Sequence, residues 1–505
     1  MNSSTNRNID LITITPGSQG DVDRKHIPLG ILYVGSNLKK QGYNVQLHHI
    51  LPKEIDITAK NISHGKPLWI GFSVLSGMTT YWSAIASRKF KMLCPDIPIV
   101  WGGHHATLCA KECLEEDYVD IVIKGEGELT SLELSEALLD PKADMEHLKN
   151  VKGISFKTNQ KEVIHNQDRN LIENLDTLPL DFSLLNMDSY INKENRRIIS
   201  FFSSRGCPFN CAFCSTPKFF DRSYRFHSEE YVMEKIDNLK KKHGINTIYF
   251  SDDNFYLNKK RARRIIERLR EGGVQCATLD VRLDQLEEED LHFFKVNHVV
   301  GLFFGWESGN DRLLKLMRKQ LSIDQIREKA ELIQRHDITS WGSGIILLPT
   351  ESFEETMNTV RFSIELRKRL KGSTIGVFRF IPLPKTDLTH LAISEGFKLP
   401  SSQEDWKIID PLEPFYKVDW IPWYTQEMDL KFRYVQEFSR HNISVYIRDG
   451  IRGRVKNYFT DRINKRMIRL DFQNLWEKKV YEILLKLYAL ITRKNIRPIK
   501  TKILD

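Results

Sequence analysis

Short apolar runs separated by helix-length amphipathic stretches fill the first part of the chain, the pattern of a parallel sheet with crossover helices. Strands are predicted at Leu11 to Thr15, Val45 to Ile50, Leu68 to Val74, Ile97 to Trp101 and Val119 to Ile123. Helices are predicted at Leu29 to Lys40, closed by Gly42, at Thr79 to Leu93, closed by Pro95, and at Ala110 to Glu116. Residues 1–140 are thus expected to form a five-stranded doubly wound domain whose ligand lies outside the strand carboxyl ends. Those ends carry Pro16 and Gly17, Ser73 to Gly77, Gly102 to Thr107, and Gly125 to Glu128. Over 141–195 the pattern weakens to short alternating pieces such as Gly153 to Lys157, read as a connector. A second series occupies 196–400, with strands at Ile198 to Ser203, Thr247 to Phe250, Ala277 to Val281, Val299 to Phe304, Ser340 to Leu347 and Ile375 to Phe380. Six strands with intervening helices predict a (β/α)6 partial barrel. Residues 401–505 read as helical, and Asp405 to Trp423, with three tryptophans, as lining for a substrate cavity.

At 505 residues the chain exceeds what one core supports, so two or three domains are expected. A composition of 41% hydrophobic and 28% charged residues excludes wholesale disorder. The sequence shows no basic segment leading into an apolar one at its start, and no run of about 18 uncharged apolar residues, which predicts a cytoplasmic protein. Net charge is +9, but Lys431 to Asp505 holds 19 basic and 7 acidic residues, a balance of +12 that leaves −3 for the rest. Only the tail has the footprint of phosphate binding, so no nucleic-acid partner is expected. Within it Trp476, Val480, Ile483, Leu484, Leu487 and Ile491 share one helical face opposite Lys478, Glu482 and Lys486. That face suits packing on the barrel or peripheral contact with a membrane surface.

Seven cysteines is an odd count, and three of them stand in R-G-C-P-F-N-C-A-F-C-S as Cys207, Cys211 and Cys214, just after a predicted strand. In a reducing compartment such crowding points to a metal or cluster site rather than disulfides. Thiolates suit iron–sulfur clusters and zinc alike. A closed zinc site wants four ligands, and His227 is the candidate fourth, although no paired C-x2-C knuckle lies nearby. Cys94, Cys109 and Cys113 read as small buried hydrophobes on helices, and Cys276 begins the third barrel strand.

The C-x3-C-x-aromatic-C loop resembles that of the radical S-adenosylmethionine enzymes. The resemblance implies that Cys207, Cys211 and Cys214 hold a 4Fe-4S cluster, that S-adenosylmethionine chelates the open iron, and that Phe213 contacts its adenine. F-S-D-D-N-F at Phe250 to Phe255 and G-W-E-S-G at Gly305 to Gly309 are similar to further segments of that family. They add Asp253, Arg282, Glu307 and Ser308 as S-adenosylmethionine-binding candidates, although each taken singly suits a barrel-rim salt bridge or helix cap. Adjacent strand-end side chains point to opposite faces, so only one of Asp252 and Asp253 is expected to reach the centre. Two segments depart from the pattern: I-L-L-P-T-E-S stands where relatives show a Gly-Leu-Pro-Gly-Glu-type turn, and I-P-L-P-K-T, with Lys385, where a Pro-Gly-Thr-type turn is usual.

P-L-G-I-L-Y-V-G-S-N-L-K-K-Q-G, W-G-G-H-H-A-T and I-K-G-E-G-E resemble the cobalamin-binding domain fused ahead of many such enzymes. By that likeness Ser73, Ser76, Gly77, Gly102, Gly103, His104, Gly125 and Glu126 are cobalamin-binding candidates. A bare doubly wound domain is equally consistent with a nucleotide or no ligand, but neither G-x-G-x-x-G after a strand nor G-x4-G-K-[ST] occurs. The D-x-H-x-x-G motif is approached by Asp23, His26 and Gly30 at the wrong spacing, so a base-off form without an axial histidine is expected; His104 and His105 read as loop hydrogen-bonders. The fold implied is α/β: a Rossmann-like cobalamin-binding domain, a partial TIM-barrel radical S-adenosylmethionine domain, and a helical carboxyl-terminal region. The function implied is reductive cleavage of S-adenosylmethionine to a 5′-deoxyadenosyl radical. Methylation of an unactivated carbon leads, oxidative cyclisation or rearrangement is the alternative, and a non-catalytic cobalamin or cluster sensor is the rival of another class. Expected partners are a small-molecule, lipid or natural-product substrate and an external electron donor of flavodoxin or ferredoxin type.

Overall fold

The computed structural model describes residues 6–15, 26–140, 145–158, 160–191, 197–409, 421–440, 445–446, 451–472 and 480. Pro16, Gly17, Asp23, Trp420 and, Val480 apart, the helical face from Trp476 to Ile491 lie outside them. The chain divides into two compact units, the first from residues 1–281, 296–300 and 381–420, the second from 282–295, 301–380 and 421–505.

In the first unit, β1 (Asn8–Ile14), β2 (Asn44–Ile50), β3 (Trp69–Ser73), β4 (Ile99–Gly102), β5 (Ile121–Ile123), β6 (Ile154–Lys157) and β7 (Val163–His165) form one sheet. Its order is β2-β1-β3-β4-β5-β6-β7. Strands β1 to β5 run parallel; the inner ones are buried on both faces, as Ile9, Leu11, Ile12 and Ile14 of β1 illustrate, while the edge strand β2 leaves Asn44 and Gln46 exposed. The sequence predicts five strands; the connector supplies two more, β6 antiparallel to β5 and β7 antiparallel to β6. The first of them, Ile154–Lys157, falls on the alternating piece Gly153 to Lys157 read as connector; what the pattern misses is that it pairs into the sheet. Two helices are also added, Ile55–Gly65 and Gly127–Leu139, and the Gly102 to Thr107 stretch holds a short helix, His104–Leu108. The 2-1-3-4-5 core reverses direction between β1 and β3, and such switch points are where doubly wound sheets bind ligands.

The same unit carries the first half of the βα series: β8 (Ile198–Phe201), β9 (Ser204–Arg205), β10 (Arg225–Phe226), β11 (Thr247–Phe250), β12 (Gln275–Cys276) and β13 (Thr278–Val281). Strand β11 pairs in parallel with β8 and β12, and β9 pairs antiparallel with β10. Helices Glu229–His243 and Lys259–Glu271 follow β10 and β11; Ser228 and Asn258 cap them by accepting from the Tyr231 and Arg261 amides. The second unit holds β14 (Gly301–Glu307), β15 (Ser340–Ile346) and β16 (Thr374–Arg379), parallel in that order, with helices Ile323–Arg335 and Phe353–Arg369 between them. Among the described residues no helix is long and apolar enough to cross a membrane.

Gln403–Ile408, a 3-10 turn from late in the chain, packs on helix Met78–Leu93 of the first sheet. Its Gln403 Oε1 lies 2.8 Å from His105 Nε2, while His105 Nδ1 is 3.0 Å from Ser76 Oγ and Trp406 stands edge-on to the ring at 4.6 Å. Burial outweighs the Gln403 bond and holds His105 neutral, pushed down to about 4. Gly77 adopts φ +106, and a Cβ there would lie 2.4 Å from the Ile409 carbonyl oxygen. Gly77→Ala is therefore expected to cost about 1–3 kcal/mol through backbone strain. It should also raise amide exchange selectively in 403–409; thermal unfolding with hydrogen-exchange mass spectrometry checks both.

Candidate functional site

The cysteine loop leaves β8 and carries Cys207, Cys211 and Cys214, all partly buried, with Phe213 half-buried beside them. The Cys214 amide donates to the Cys211 carbonyl at 3.1 Å, a tight turn that keeps those two residues close. Burial pushes the Cys214 thiol up to about 11, opposed by Thr216. It also raises Cys207, opposed by the Phe209 backbone N–H and the Asn254 side chain. Among the described residues no three His, Cys, Asp or Glu side chains converge on a single ion. A four-iron cluster asks for something else, since each thiolate binds a different iron. His227, the candidate fourth zinc ligand, has both ring nitrogens engaged: Nε2 with the Tyr33 hydroxyl at 3.1 Å and Nδ1 with Asp176 at 3.0 Å. That removes it from a zinc set.

Carboxylates fix the chain entering the loop. Asp252, 3% exposed, accepts from the Ser203 amide at 2.7 Å and from the Ser203 and Ser204 hydroxyls at 2.6 Å each. Asp253 accepts from the Gly206 amide at 3.0 Å and the Thr216 hydroxyl at 2.9 Å. Both aspartates thus turn to the same segment. Strand β11 ends at Phe250, so the alternation of strand faces no longer governs residues 252 and 253. From the other side, Arg205 Nη1 donates to Glu126 at 2.8 Å and Nη2 to Glu128 at 2.6 Å. Arg225 adds a third bond, to Glu126 at 2.7 Å, and the Ile172 amide a fourth at 2.8 Å. Burial works against the Glu126 carboxylate, but Arg205 and Arg225 hold it below its ordinary range. Arg205 also lies over the Tyr33 ring at 4.8 Å. The G-E-G-E segment therefore clasps the R-G-C arginine, a pairing the separate motif readings miss.

A cavity of about 450 Å³ opens at the carboxyl ends of β1, β3, β4 and β5, the switch point of the sheet. Ser73, Gly102, Gly103, His104, Gly125 and Glu126 line it, as does Asp253 of the cysteine-loop clamp. Ser76 and Gly77 are not among its lining residues; Ser76 Oγ pairs with His105 Nδ1, and Gly77 lies against the Ile409 carbonyl. His104 stacks on Phe219 with centroids 4.0 Å apart and planes 5° from parallel. Burial lowers its pKa, with Asp253 opposing. The walls are largely aliphatic and aromatic, Leu75, Val34 and Phe220 among them, and suit one face of a broad planar ligand such as a corrin.

The remaining candidates belong to the second unit. Glu307 ends β14 at φ +58 and accepts from Lys319 Nζ at 2.7 Å, both side chains 7% exposed. Gly305 is required beside it, because a Cβ there would lie 1.8 Å from Glu307 Oε1. Arg282 chelates Asp284 at 3.0 and 2.9 Å and donates to the Lys319 carbonyl at 3.0 Å. Lys319 thereby ties Arg282 to Glu307; no motif marks it in the sequence. Ser308 Oγ pairs with Thr359 Oγ1 at 3.2 Å. The departures from the turn pattern keep the backbone of glycine without its residue: Leu347, Thr350 and Lys385 adopt φ of +63, +65 and +59. Of the tryptophans expected to line one cavity, Trp406 packs on His105 and Trp423 donates to the Leu347 carbonyl at 3.3 Å.

Residues 20–135 match the B12 binding domain model and residues 201–363 the radical SAM superfamily model. An uncharacterized methyltransferase of Pyrococcus horikoshii is 31% identical over 76% of this chain and 82% of its own length. The anaerobic magnesium-protoporphyrin IX monomethyl ester cyclase of Cereibacter sphaeroides is 26% identical over 72% of this chain, which spans 59% of the cyclase. The solved structure of the cobalamin-dependent S-adenosylmethionine radical enzyme OxsB, with aqua-cobalamin and S-adenosylmethionine bound, shares the fold at TM-score 0.65 and 16% identity, covering 96% of this chain and 75% of that one. With its two domain matches in this order on one chain, the protein belongs to the cobalamin-binding radical S-adenosylmethionine enzymes, and its cofactors are a 4Fe-4S cluster, S-adenosylmethionine and cobalamin.

Proposed function

We propose that the enzyme transfers a methyl group to an unactivated carbon of a hydrophobic small molecule. The observation that carries this reading is the clasp of Glu126 and Glu128 on Arg205, which joins the wall of the corrin-shaped cavity to the chain entering Cys207. The methyltransferase relative, 82% of whose length the chain spans, supports the same reading. When bound, the cluster supplies the electron that cleaves S-adenosylmethionine, and cobalamin carries the methyl group.

The chain's own residues divide the remaining work. Cys207, Cys211 and Cys214 hold the cluster. Ser73, Gly102, Gly103, His104 and Gly125 would seat the corrin, while Glu126 fixes the cavity wall through Arg205. Phe213 would contact S-adenosylmethionine, and Asp253 holds the cysteine loop in place; in the second unit, Arg282 holds the Lys319 loop against Glu307. An external flavodoxin- or ferredoxin-type protein delivers the electron.

Replacing Cys207, Cys211 and Cys214 together by Ala is expected to abolish the brown absorbance of anaerobically reconstituted protein and reduce iron from about four per chain to none. Retention of about four irons would refute the ligand assignment. Arg205→Met leaves the buried Glu128 carboxylate without its cation and Glu126 with Arg225 and the Ile172 amide only, and is expected to cost about 3–5 kcal/mol in chemical unfolding. Adding Glu126→Gln and Glu128→Gln should restore part of that loss. Turnover on deletion-strain extract with methyl-labelled S-adenosylmethionine is expected to put label in a new product, with both 5′-deoxyadenosine and S-adenosylhomocysteine formed. 5′-Deoxyadenosine without S-adenosylhomocysteine would favour the cyclase-type reaction instead.

A further inference from the structure

Three strands of the first unit carry a polar side chain as their next-to-last residue: Ser200 in β8, Tyr249 in β11 and Asp280 in β13. Ser200 and Tyr249 are register partners, and the Tyr249 hydroxyl donates to Asp280 Oδ2 at 3.2 Å, so the three share one face at one level. The residues that follow them, Phe201, Phe250 and Val281, turn to the other face and are buried. His26 joins the layer, its Nδ1 3.0 Å from Ser200 Oγ and its ring 6.1 Å from that of Tyr249. Inward layers of β/α strands are ordinarily built from branched apolar side chains, and polar residues at the strand carboxyl ends are the ones that meet ligands.

Asp280 is the member of this layer left without a countercharge. It is half-buried, the Tyr249 hydroxyl is its one donor among the described residues, and no cation pairs with it there. Burial pushes its carboxyl up to about 6, opposed by the Tyr249 hydroxyl and assisted by the charge of Asp252. At neutral pH it is therefore mostly ionised, and a carboxylate drawn partly out of water is unfavourable until a cation meets it. A metal ion does not suit the place: hard cations take several oxygen ligands, and no three His, Cys, Asp or Glu side chains converge among the described residues. A protonated amine does suit it. Such a group brings N–H donors, and beside the carboxylate stands the Tyr249 oxygen, which gives its proton to Asp280 and is left as an acceptor. Resting on the methyl-transfer reading above, we propose that Asp280, with Tyr249, binds a protonated amino group of the substrate, so that the hydrophobic molecule methylated by this enzyme is an amine. The pair then sets specificity, since a neutral analogue leaves the carboxylate bare and an acidic one is repelled.

The test uses the wild-type enzyme, reconstituted anaerobically with cluster and cobalamin and supplied with a chemical reductant and methyl-labelled S-adenosylmethionine. Deletion-strain extract is divided on a strong cation exchanger at about pH 2, where carboxyls are protonated and amines stay charged. The retained fraction is expected to yield the labelled product and to lose that capacity once its amines are acetylated; the flow-through should yield none. A labelled product from the flow-through, or from the acetylated fraction, would overturn the proposal. Asp280→Asn and Tyr249→Phe are expected to keep about four irons per chain. Both should also bind labelled S-adenosylmethionine as the wild type does in equilibrium dialysis. Asp280→Asn should raise the amount of retained fraction needed for half-maximal labelling by roughly tenfold or more, and Tyr249→Phe by less. Wild-type half-saturation in Asp280→Asn would overturn the proposal. So would weakened binding of S-adenosylmethionine, because the cation facing Asp280 would then be that of S-adenosylmethionine rather than the substrate. Failure of the wild type to label any product is a different result, refuting the methyl-transfer reading and this inference with it.

Discussion

Buried carboxylates on either side of residues 203–207 are the constraint on which the site depends. A loop that must present three thiols to a preassembled cluster cannot also be free to sample conformations. Five consecutive residues supply no core of their own to hold them. The fold answers by spending charge: Asp252 and Asp253 grip from the β11 side, and Glu126 and Glu128 reach Arg205 from the first sheet. Ion pairs in such places are poor contributors to net stability, because desolvation offsets most of their attraction. Their value is geometric, since a charge removed from water accepts one arrangement of donors and penalises the others.

The second unit uses the same device on a smaller scale. Lys319 joins Glu307 to Arg282, and Glu307 adopts a left-handed conformation with its carboxylate in the space that the missing Cβ of Gly305 leaves. Three further left-handed non-glycine residues, Leu347, Thr350 and Lys385, follow the fifth and sixth strands. Strain of this kind persists only where surrounding contacts over-determine the backbone. Here the turns take a shape that glycine would adopt without strain, with other residues in its place.

Most of the βα rhythm was readable from apolar periodicity, because strands buried on both faces are written as apolar runs and their helices as amphipathic stretches. Leu29–Lys40 and Thr247–Phe250 fall where the pattern puts them. The strands β6 and β7 were read only as a connector: their place in the sheet is set by antiparallel pairing of β6 with Ile121–Ile123 and of β7 with β6, which no local pattern announces. Helix Ile55–Gly65 did leave a trace, in the spacing of Ile55, Ala59 and Ile62. The cysteine motif was visible because its chemistry depends on local spacing. What spacing cannot show is partnership across the chain. Glu126 reads as a ligand-binding residue until Arg205, 79 positions away, is seen to occupy it. Lys319 reads as nothing at all.

The turn Gln403–Ile408 seated on His105 and Gly77 has a bearing on how the chain is made. The contact joins residues 298 positions apart, so the first sheet cannot finish its own core while it is being synthesised. Translation adds roughly 5–20 residues per second, which leaves the surface around His105 and helix Met78–Leu93 uncovered for about fifteen seconds to a minute. A nascent chain in that interval presents an apolar face with nothing to cover it, a target for chaperones and a hazard for aggregation at high expression. Slow translation, low temperature or chaperone supply should therefore govern the yield of folded protein more than the stability of the finished enzyme does.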